Sequence, residues 1–90
     1  MNKYDLNSRV AVVTGGSQGF GLAVVKKFLN SGAKVIIWDI DVNESKKIID
    51  AINSKNLYFQ NVDVTDYKSI KENLSKIEKK YKKIDILINN

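Results

Sequence analysis

The chain has 90 residues, of which 43% are hydrophobic and 28% charged, and its formal net charge is +5. This composition is typical of one folded domain, and a chain of this size cannot contain a second lobe with its own core. Because the sequence contains neither cysteine nor histidine, we exclude disulfides, thiol nucleophiles, Ser-His-Asp triads, and thiolate or imidazole metal sites.

Apolar runs and charge distribution bear on location and partners. The longest apolar runs have four residues, against the roughly 20 that span a bilayer, and the N-terminus lacks the apolar stretch of a signal peptide. We therefore expect a cytoplasmic protein without a membrane segment. Lysines cluster near the C-terminal end of the chain, but with a single arginine they are more typical of a solvated helix end than of a nucleic-acid surface. These are Lys76, Lys79, Lys80, Lys82 and Lys83.

Short apolar runs alternate along the chain with longer segments of helical period. Predicted strands cover residues 10–13, 35–38, 57–62 and 84–88, and predicted helices cover 20–31, 43–53 and 67–81. Gly32 is suited to the end of the first helix, and Asp66 to the N-cap of the third. The third helix has the clearest apolar stripe, Tyr67, Ile70, Leu74, Ile77 and Tyr81. The order β-α-β-α-β-α-β predicts an α/β fold with a parallel sheet.

Four of the five glycines lie in the segment 14–21, TGGSQGFG, which leads from the first predicted strand into the start of the first predicted helix. Glycines at such a turn let the backbone approach a diphosphate, which the free amides and positive end of the helix attract. The spacing differs from the G-x-G-x-x-G of long-chain dehydrogenases, and the Gly-Lys-Ser/Thr of a P-loop is absent. A turn with only a structural role is the alternative interpretation.

This segment resembles the TGxxxGxG fingerprint of the short-chain dehydrogenase/reductase family, and the similarity extends over the whole chain. Asp39 ends the second predicted strand, Asp63-Val64 ends the third, and Asn89-Asn90 resembles the first half of the family's NNAG motif. Phe20 departs from the Ile that is usual in the family, but it keeps the position apolar. The resemblance implies a partial Rossmann fold with sheet order 3-2-1-4. Residues 1–90 would then form a single NAD-binding segment, the N-terminal part of a longer dehydrogenase domain.

Asp39 favours NAD over NADP as the cofactor. A carboxylate at the end of the second strand can accept hydrogen bonds from the adenosine ribose hydroxyls, and it would repel a 2′-phosphate. Neither Gln18 nor Ile40 supplies the cation that a phosphate would need. A solvated strand end is the alternative role for Asp39.

The resemblance also implies a wider cofactor site. In it, Asp63 accepts from the adenine amino group, the Val64 backbone lines the same pocket, and Asn90 lies along the ribose towards the nicotinamide. Asp63 could instead serve as a turn and cap residue, and the two asparagines could tie the fourth strand to the glycine-rich loop through Thr14. The full predicted set is Gly15, Ser17, Gln18, Gly19, Phe20, Gly21, Asp39, Ile40, Asp63, Val64 and Asn90.

The family's catalytic groups, a Ser, a Tyr and a Lys, are expected after position 90. Tyr67 and Lys71 reproduce the Y-x-x-x-K spacing, but they lie at the start of the third predicted helix, on the adenine side of the sheet. For Tyr67, at the head of an apolar stripe, core packing is the expected role.

The resemblance implies an NAD-dependent oxidoreductase that transfers a hydride between NAD(H) and an alcohol or carbonyl substrate, with 3-oxoacyl reduction among the options. The 90 residues alone should be inactive, and the unpaired edge of the fourth strand predicts a truncated, association-prone chain. The parent enzyme is expected to be a homo-oligomer. A free-standing nucleotide-binding or regulatory module, and a basic interaction protein acting through residues 76–83, are the alternatives.

Overall fold

The computed structural model describes residues 8–90, so the expectation about an N-terminal signal peptide falls mainly outside the described residues. Strands and helices alternate as the sequence predicts, and the four strands form one parallel sheet in the order β3-β2-β1-β4. The predicted fold class and sheet order are therefore confirmed. The elements are β1 (Val10–Thr14), α1 (Gly19–Asn30), β2 (Lys34–Asp39), α2 (Val42–Ile52), β3 (Leu57–Asn61), α3 (Tyr67–Tyr81) and β4 (Ile86–Ile88).

The central strands β1 and β2 are buried because helices cover both faces of the sheet. On one face, apolar residues of α1 and α2 pack around Val13, Val35 and Ile37. On the other face, α3 packs against Val12 and Ile36. Strands that are covered on both sides must be apolar at successive positions, which accounts for the unbroken runs in the sequence.

The apolar stripe of α3 meets the sheet along most of its length, with one exception. Ile77 is fully buried, and Ile70, Leu74 and Tyr81 pack against the same cluster. Tyr67 is 76% exposed, so the expectation that it packs in the core is wrong. Helical side chains lean towards the N-terminus of their helix, and the first residue therefore points beyond the helix instead of onto the sheet.

Strand β4 is shorter than predicted, and Asp85 explains where it starts. The Asp85 carboxylate accepts a hydrogen bond from the Val10 N–H at 2.8 Å, while the Asp85 N–H donates to the Val10 carbonyl at 2.9 Å. Arg9 and Lys83 form ion pairs with the same carboxylate at 3.3 and 3.2 Å. A side chain thus binds the first amide of β1, and regular pairing of the two backbones begins only at Ile86.

Both edges of the sheet are open in the part of the chain that the structure describes. β4 pairs with β1 alone, β3 pairs with β2 alone, and Leu87 on β4 is 60% exposed. Open edges leave backbone donors and acceptors available to another strand. Of the helices in residues 8–90, none has both the length and the apolar character needed to cross a membrane.

Candidate functional site

The carboxyl ends of the parallel strands meet at one edge of the sheet, and a cleft of about 240 Å³ opens there. In open parallel α/β sheets, ligands bind in the crevice at this edge, where the strand order reverses. In this sheet, β2 and β3 lie on one side of β1 and β4 lies on the other, so the order reverses between β1 and β4. The cleft is lined by Thr14, Gly15, Trp38, Asp39, Ile40, Val62, Asp63, Val64, Thr65 and Asn90.

The glycine-rich loop turns sharply between β1 and α1 and then packs against the start of the helix. Gly15 has φ of +63°, and its N–H continues the pairing with β2 by donating to the Trp38 carbonyl at 2.8 Å. Gly21 lies so close to this turn that an added Cβ would be 2.2 Å from the Gly15 carbonyl oxygen. A side chain at position 21 would therefore force the loop and the helix apart.

Thr14 and Asn90 fasten the end of β4 to the glycine-rich loop. The Thr14 hydroxyl lies 3.3 Å from the Ile88 carbonyl oxygen and accepts a hydrogen bond from the Asn90 N–H at 2.8 Å. The Asn90 side-chain amide donates to the Gly15 carbonyl at 3.4 Å. The sequence left this structural role open for both asparagines. The contacts show it for Asn90, and the Thr14 hydroxyl also lies 3.5 Å from the side-chain oxygen of Asn89.

Helix α1 differs from α2 and α3 at its N-terminus. The side chains of Asp41 and Asp66 accept hydrogen bonds from the first turns of α2 and α3. Gln18, which precedes α1, makes no such bond, and the first turn of α1 contains no acidic residue. Gln18 and the first two helical residues are exposed. The first amides of α1 therefore remain available to an anion at the positive end of the helix.

The Asp39 carboxylate, at the end of β2, is held from two sides. Its Oδ2 accepts hydrogen bonds from the Ser17 hydroxyl at 2.5 Å and from the Ser17 N–H at 3.4 Å. Its Oδ1 accepts from the Asp41 N–H at 3.0 Å. Partial burial raises the pKa of Asp39, but these hydrogen bonds outweigh it, and the pKa lies below its ordinary value. Asp39 is therefore a fixed negative charge at neutral pH.

Asp63, after β3, stabilises the turn in which it lies, and it also lines the cleft. Its Oδ1 accepts from the Thr65 hydroxyl at 2.6 Å and from the Thr65 N–H at 2.9 Å, and these bonds lower its pKa. The turn role that the sequence allowed for Asp63 is therefore present. Within residues 8–90, Oδ2 accepts no hydrogen bond, so it is available to a ligand donor, and the 48% exposed Val64 lies beside it.

Comparison with known proteins identifies the family to which the chain belongs. The sequence profile described as short chain dehydrogenase matches residues 9–90. The chain belongs to the short-chain dehydrogenase family. The predicted membership is thus confirmed over nearly all of the described residues.

Relatives within the short-chain dehydrogenase family include enzymes with different substrates. The chain is 38% identical over 87 residues to the 3-oxoacyl-[acyl-carrier-protein] reductase of Chlamydia pneumoniae, covering 94% of this chain and 35% of that protein. It is 36% identical over 87 residues to the NAD-dependent glycerol dehydrogenase of Listeria innocua, covering 97% of this chain and 34% of that one. The chain therefore spans about a third of the length of the curated relatives it matches.

A solved short-chain dehydrogenase structure has the same fold. The 3-ketoacyl-(acyl-carrier-protein) reductase of Brucella melitensis, complexed with NADH, superposes with a TM-score of 0.83 at 29% identity. The match covers 91% of this chain and 33% of that one. The β-α-β-α-β-α-β segment thus corresponds to part of a longer Rossmann-type chain in that neighbour.

The structure places the eleven predicted cofactor residues of this chain in three groups. Ser17 and Gly21 are buried and do not line the cleft; Ser17 contacts Asp39, and Gly21 packs against the turn at Gly15. Gln18, Gly19 and Phe20 are exposed at the start of α1 and do not line the cleft. Those that line it are Gly15, Asp39, Ile40, Asp63, Val64 and Asn90.

Four lining residues were not among the predicted cofactor residues, namely Thr14, Trp38, Val62 and Thr65. Each lies next to a predicted residue in the sequence, so adjacency to a strand end was the signal that could have found them. Tyr67 and Lys71 do not line the cleft. Their spacing therefore has no counterpart in the geometry of this site.

Proposed function

We propose that this chain is the NAD-binding portion of a short-chain dehydrogenase that transfers a hydride between NAD(H) and an alcohol or carbonyl substrate. The observation that carries the proposal is the ionised Asp39 carboxylate on the wall of the cleft, which is hydrogen-bonded to Ser17 in the loop that leads into the uncapped start of α1. These two features suit the two ends of an adenosine diphosphate. The hydride chemistry itself belongs to the nicotinamide.

The start of α1 supports a diphosphate site. Its amides carry the partial positive charge of the helix end, and no side chain of the described residues caps them. Because Gly21 lets the turn at Gly15 lie directly against the helix, the backbone rather than side chains forms this surface. A diphosphate bound there would meet N–H donors without having to displace a carboxylate.

Asp39 supports NAD over NADP through its charge. A ribose diol can donate to a carboxylate oxygen that still has a free lone pair. A 2′-phosphate would instead place like charges side by side, and two unit charges 4 Å apart repel by about 4 kcal/mol at an effective dielectric constant of 20. Gln18 and Ile40, the neighbours on the loop and the strand end, offer no compensating cation.

The catalytic part of the reaction lies outside these 90 residues in our proposal. A Ser, a Tyr and a Lys beyond residue 90 would orient the substrate oxygen and move its proton, and the 90-residue chain by itself would not turn over an alcohol. The similarity to 3-oxoacyl reductases makes that substrate class one option. We further propose a cytoplasmic, homo-oligomeric parent enzyme.

The test is a pair of NMR titrations of the 90-residue chain, one with NAD⁺ and one with NADP⁺. We expect dissociation constants in the millimolar range, tighter for NAD⁺, with the largest amide shifts at Gly19, Phe20 and Gly21. Asp39→Asn should abolish the preference. Asp50→Asn is the matched control, because it removes the same charge from an exposed position of α2 that does not line the cleft.

Three results would contradict the proposal. One is the absence of binding of either dinucleotide, and another is equal binding of both by the unchanged chain. The third is a loss of preference in Asp50→Asn as large as that in Asp39→Asn, which would mean that net charge and not the cleft decides. Turnover of an alcohol by the 90-residue chain would contradict our placement of the catalytic groups.

A further inference from the structure

Ser17 is a polar residue with 0% exposure, although the three residues that follow it, 18–20, are exposed. Burying a hydroxyl is unfavourable unless it forms a hydrogen bond. The partner of this hydroxyl is the Asp39 carboxylate, 2.5 Å away and 22 positions further along the chain. The Ser17 N–H points to the same oxygen at 3.4 Å. The glycine-rich loop is thus joined to the end of β2 through one carboxylate oxygen.

These contacts leave the carboxylate little freedom to rotate. The Asp41 N–H holds the other oxygen at 3.0 Å, so each oxygen has a protein donor of its own. A carboxylate oxygen has two lone pairs. The two Ser17 donors occupy both lone pairs of Oδ2, whereas Oδ1 accepts one hydrogen bond and retains a lone pair for a ligand. The half-buried Asp39 lines the cleft, whereas Ser17 does not. Asp39 is therefore the residue through which the Ser17 side chain contacts the wall of the cleft.

We propose that Ser17 is the positioning residue for cofactor selection, holding the Asp39 carboxylate in the orientation that accepts a ribose diol and repels a 2′-phosphate. This inference rests on the proposed binding of NAD. A carboxylate released on one side could turn away from a 2′-phosphate, and the repulsion would weaken with distance. Removal of the Ser17 hydroxyl should therefore affect the two dinucleotides differently.

The electrostatics of Asp39 agree with this role. Burial raises the pKa of this carboxyl, and the Ser17 hydroxyl makes the largest of the opposing contributions. Without that hydroxyl the pKa of Asp39 should rise. The other carboxyls near it are those of Asp41, two residues further on, and Asp63, after β3, and a change at position 17 leaves both in place.

The chain contains a matched control for a buried serine. Ser45 on α2 is also 0% exposed, but its hydroxyl has no hydrogen-bond partner within residues 8–90, and it does not line the cleft. Ser45→Ala and Ser17→Ala therefore delete the same atom from two equally buried sites. Only the change at position 17 removes a contact with Asp39.

The experiment measures the ratio of the NADP⁺ and NAD⁺ dissociation constants in four variants of the 90-residue chain by NMR titration. Because part of the contribution of this hydrogen bond is lost equally for both ligands, we expect Ser17→Ala to lower the ratio on the order of fivefold. Ser45→Ala should leave it unchanged. In the Asp39→Asn background, adding Ser17→Ala should have no further effect on the ratio.

A second variant and a second readout protect the test against misfolding. Ser17→Cys replaces the hydroxyl with a somewhat larger thiol that is a weaker donor, and it should give a ratio between those of serine and alanine. The side-chain ¹³C resonance of Asp39 should report a higher pKa in both variants. An equal loss of affinity for both dinucleotides, or an unchanged ratio with an unchanged Asp39 pKa, would show that Ser17 only supports the loop.

The outcomes separate this inference from the proposed function. If the unchanged chain prefers NAD⁺ and loses the preference in Asp39→Asn but keeps it in Ser17→Ala and Ser17→Cys, the role of Ser17 is wrong and NAD binding stands. If the unchanged chain binds neither dinucleotide, the proposed function fails first. A lower ratio in the Asp39→Asn background on adding Ser17→Ala would also refute a role exerted through Asp39.

Discussion

Gly21→Ala tests the close packing of the start of α1 against the turn at Gly15, which lines the cleft. Position 21 is helical, and helix propensity alone predicts that alanine stabilises the chain by about 1 kcal/mol over glycine. The surroundings of Gly21 predict the opposite sign. An added Cβ would lie 2.2 Å from the Gly15 carbonyl oxygen and 2.8 Å from the Asn90 side-chain nitrogen.

The size of the effect follows from these distances. Real Cβ contacts essentially never fall below 3.0 Å, so the loop must retreat by at least about 0.8 Å. Overpacking usually costs about 1 to 3 kcal/mol, and the upper value applies because a backbone oxygen cannot rotate away. Loss of the Asn90 to Gly15 hydrogen bond, already 3.4 Å long, costs about 1 kcal/mol, which offsets the gain in helix propensity. We expect a net loss of about 3 kcal/mol.

Urea unfolding of Gly21→Ala and Gly19→Ala measures the difference. With a slope of about 2 kcal/mol per molar, a loss of 3 kcal/mol lowers the midpoint by about 1 to 2 M. Gly19→Ala is the control, because nothing lies within 4 Å of an added Cβ there and only the φ of +60° is strained, at about 1 kcal/mol. A Gly21→Ala variant as stable as the unchanged chain would refute the reasoning.

Two further predictions concern the ends of secondary structure elements. The pKa of Asp85 is lowered by the hydrogen bond from the Val10 N–H and, to a smaller extent, by Lys83 and Arg9. The ionised carboxylate therefore stabilises the fold at pH values above its ordinary pKa. This stabilisation is lost as the pH falls through the lower pKa of the folded state. Asp85→Asn should therefore flatten the fall in unfolding free energy below about pH 4; an unchanged slope would contradict this. Asp66→Ala should cost about 1 kcal/mol by removing the cap of α3, which chemical denaturation measures; an unchanged midpoint would exclude the cap.

Much of the fold could be predicted from local sequence patterns, but the exposure of Tyr67 and the start of β4 could not. Buried strands and amphipathic helices leave periodic patterns because one face of each element must exclude water. Tyr67 fits the pattern of α3 and still lies in solvent, because periodicity gives the face of a helix but not where the sheet beneath it ends. The late start of β4 depends on Asp85 reaching Val10, 75 positions away, a contact that no local pattern encodes.

The candidate site shows the same division between local signals and long-range contacts. Glycines in a turn and carboxylates at a strand end can be recognised from residue type and position, so Gly15 and Asp39 could be predicted as site residues. The Ser17 to Asp39 hydrogen bond could not be, because it depends on the path of the loop above β2. The sequence does not indicate whether a polar residue within a turn faces solvent or the carboxylate of a neighbouring strand end.

The contact at Gly21 links two motifs that are far apart in the sequence. A Cβ added at position 21 would clash with both Gly15, in the glycine-rich loop, and Asn90, just after β4. The Asn90 amide in turn binds the Gly15 carbonyl, and its N–H binds Thr14. The asparagine after β4 therefore helps to hold the turn whose closeness to α1 requires glycine at position 21. Because the two motifs form one packed unit, a substitution at Asn90 should also displace the helix amides that we propose bind the diphosphate.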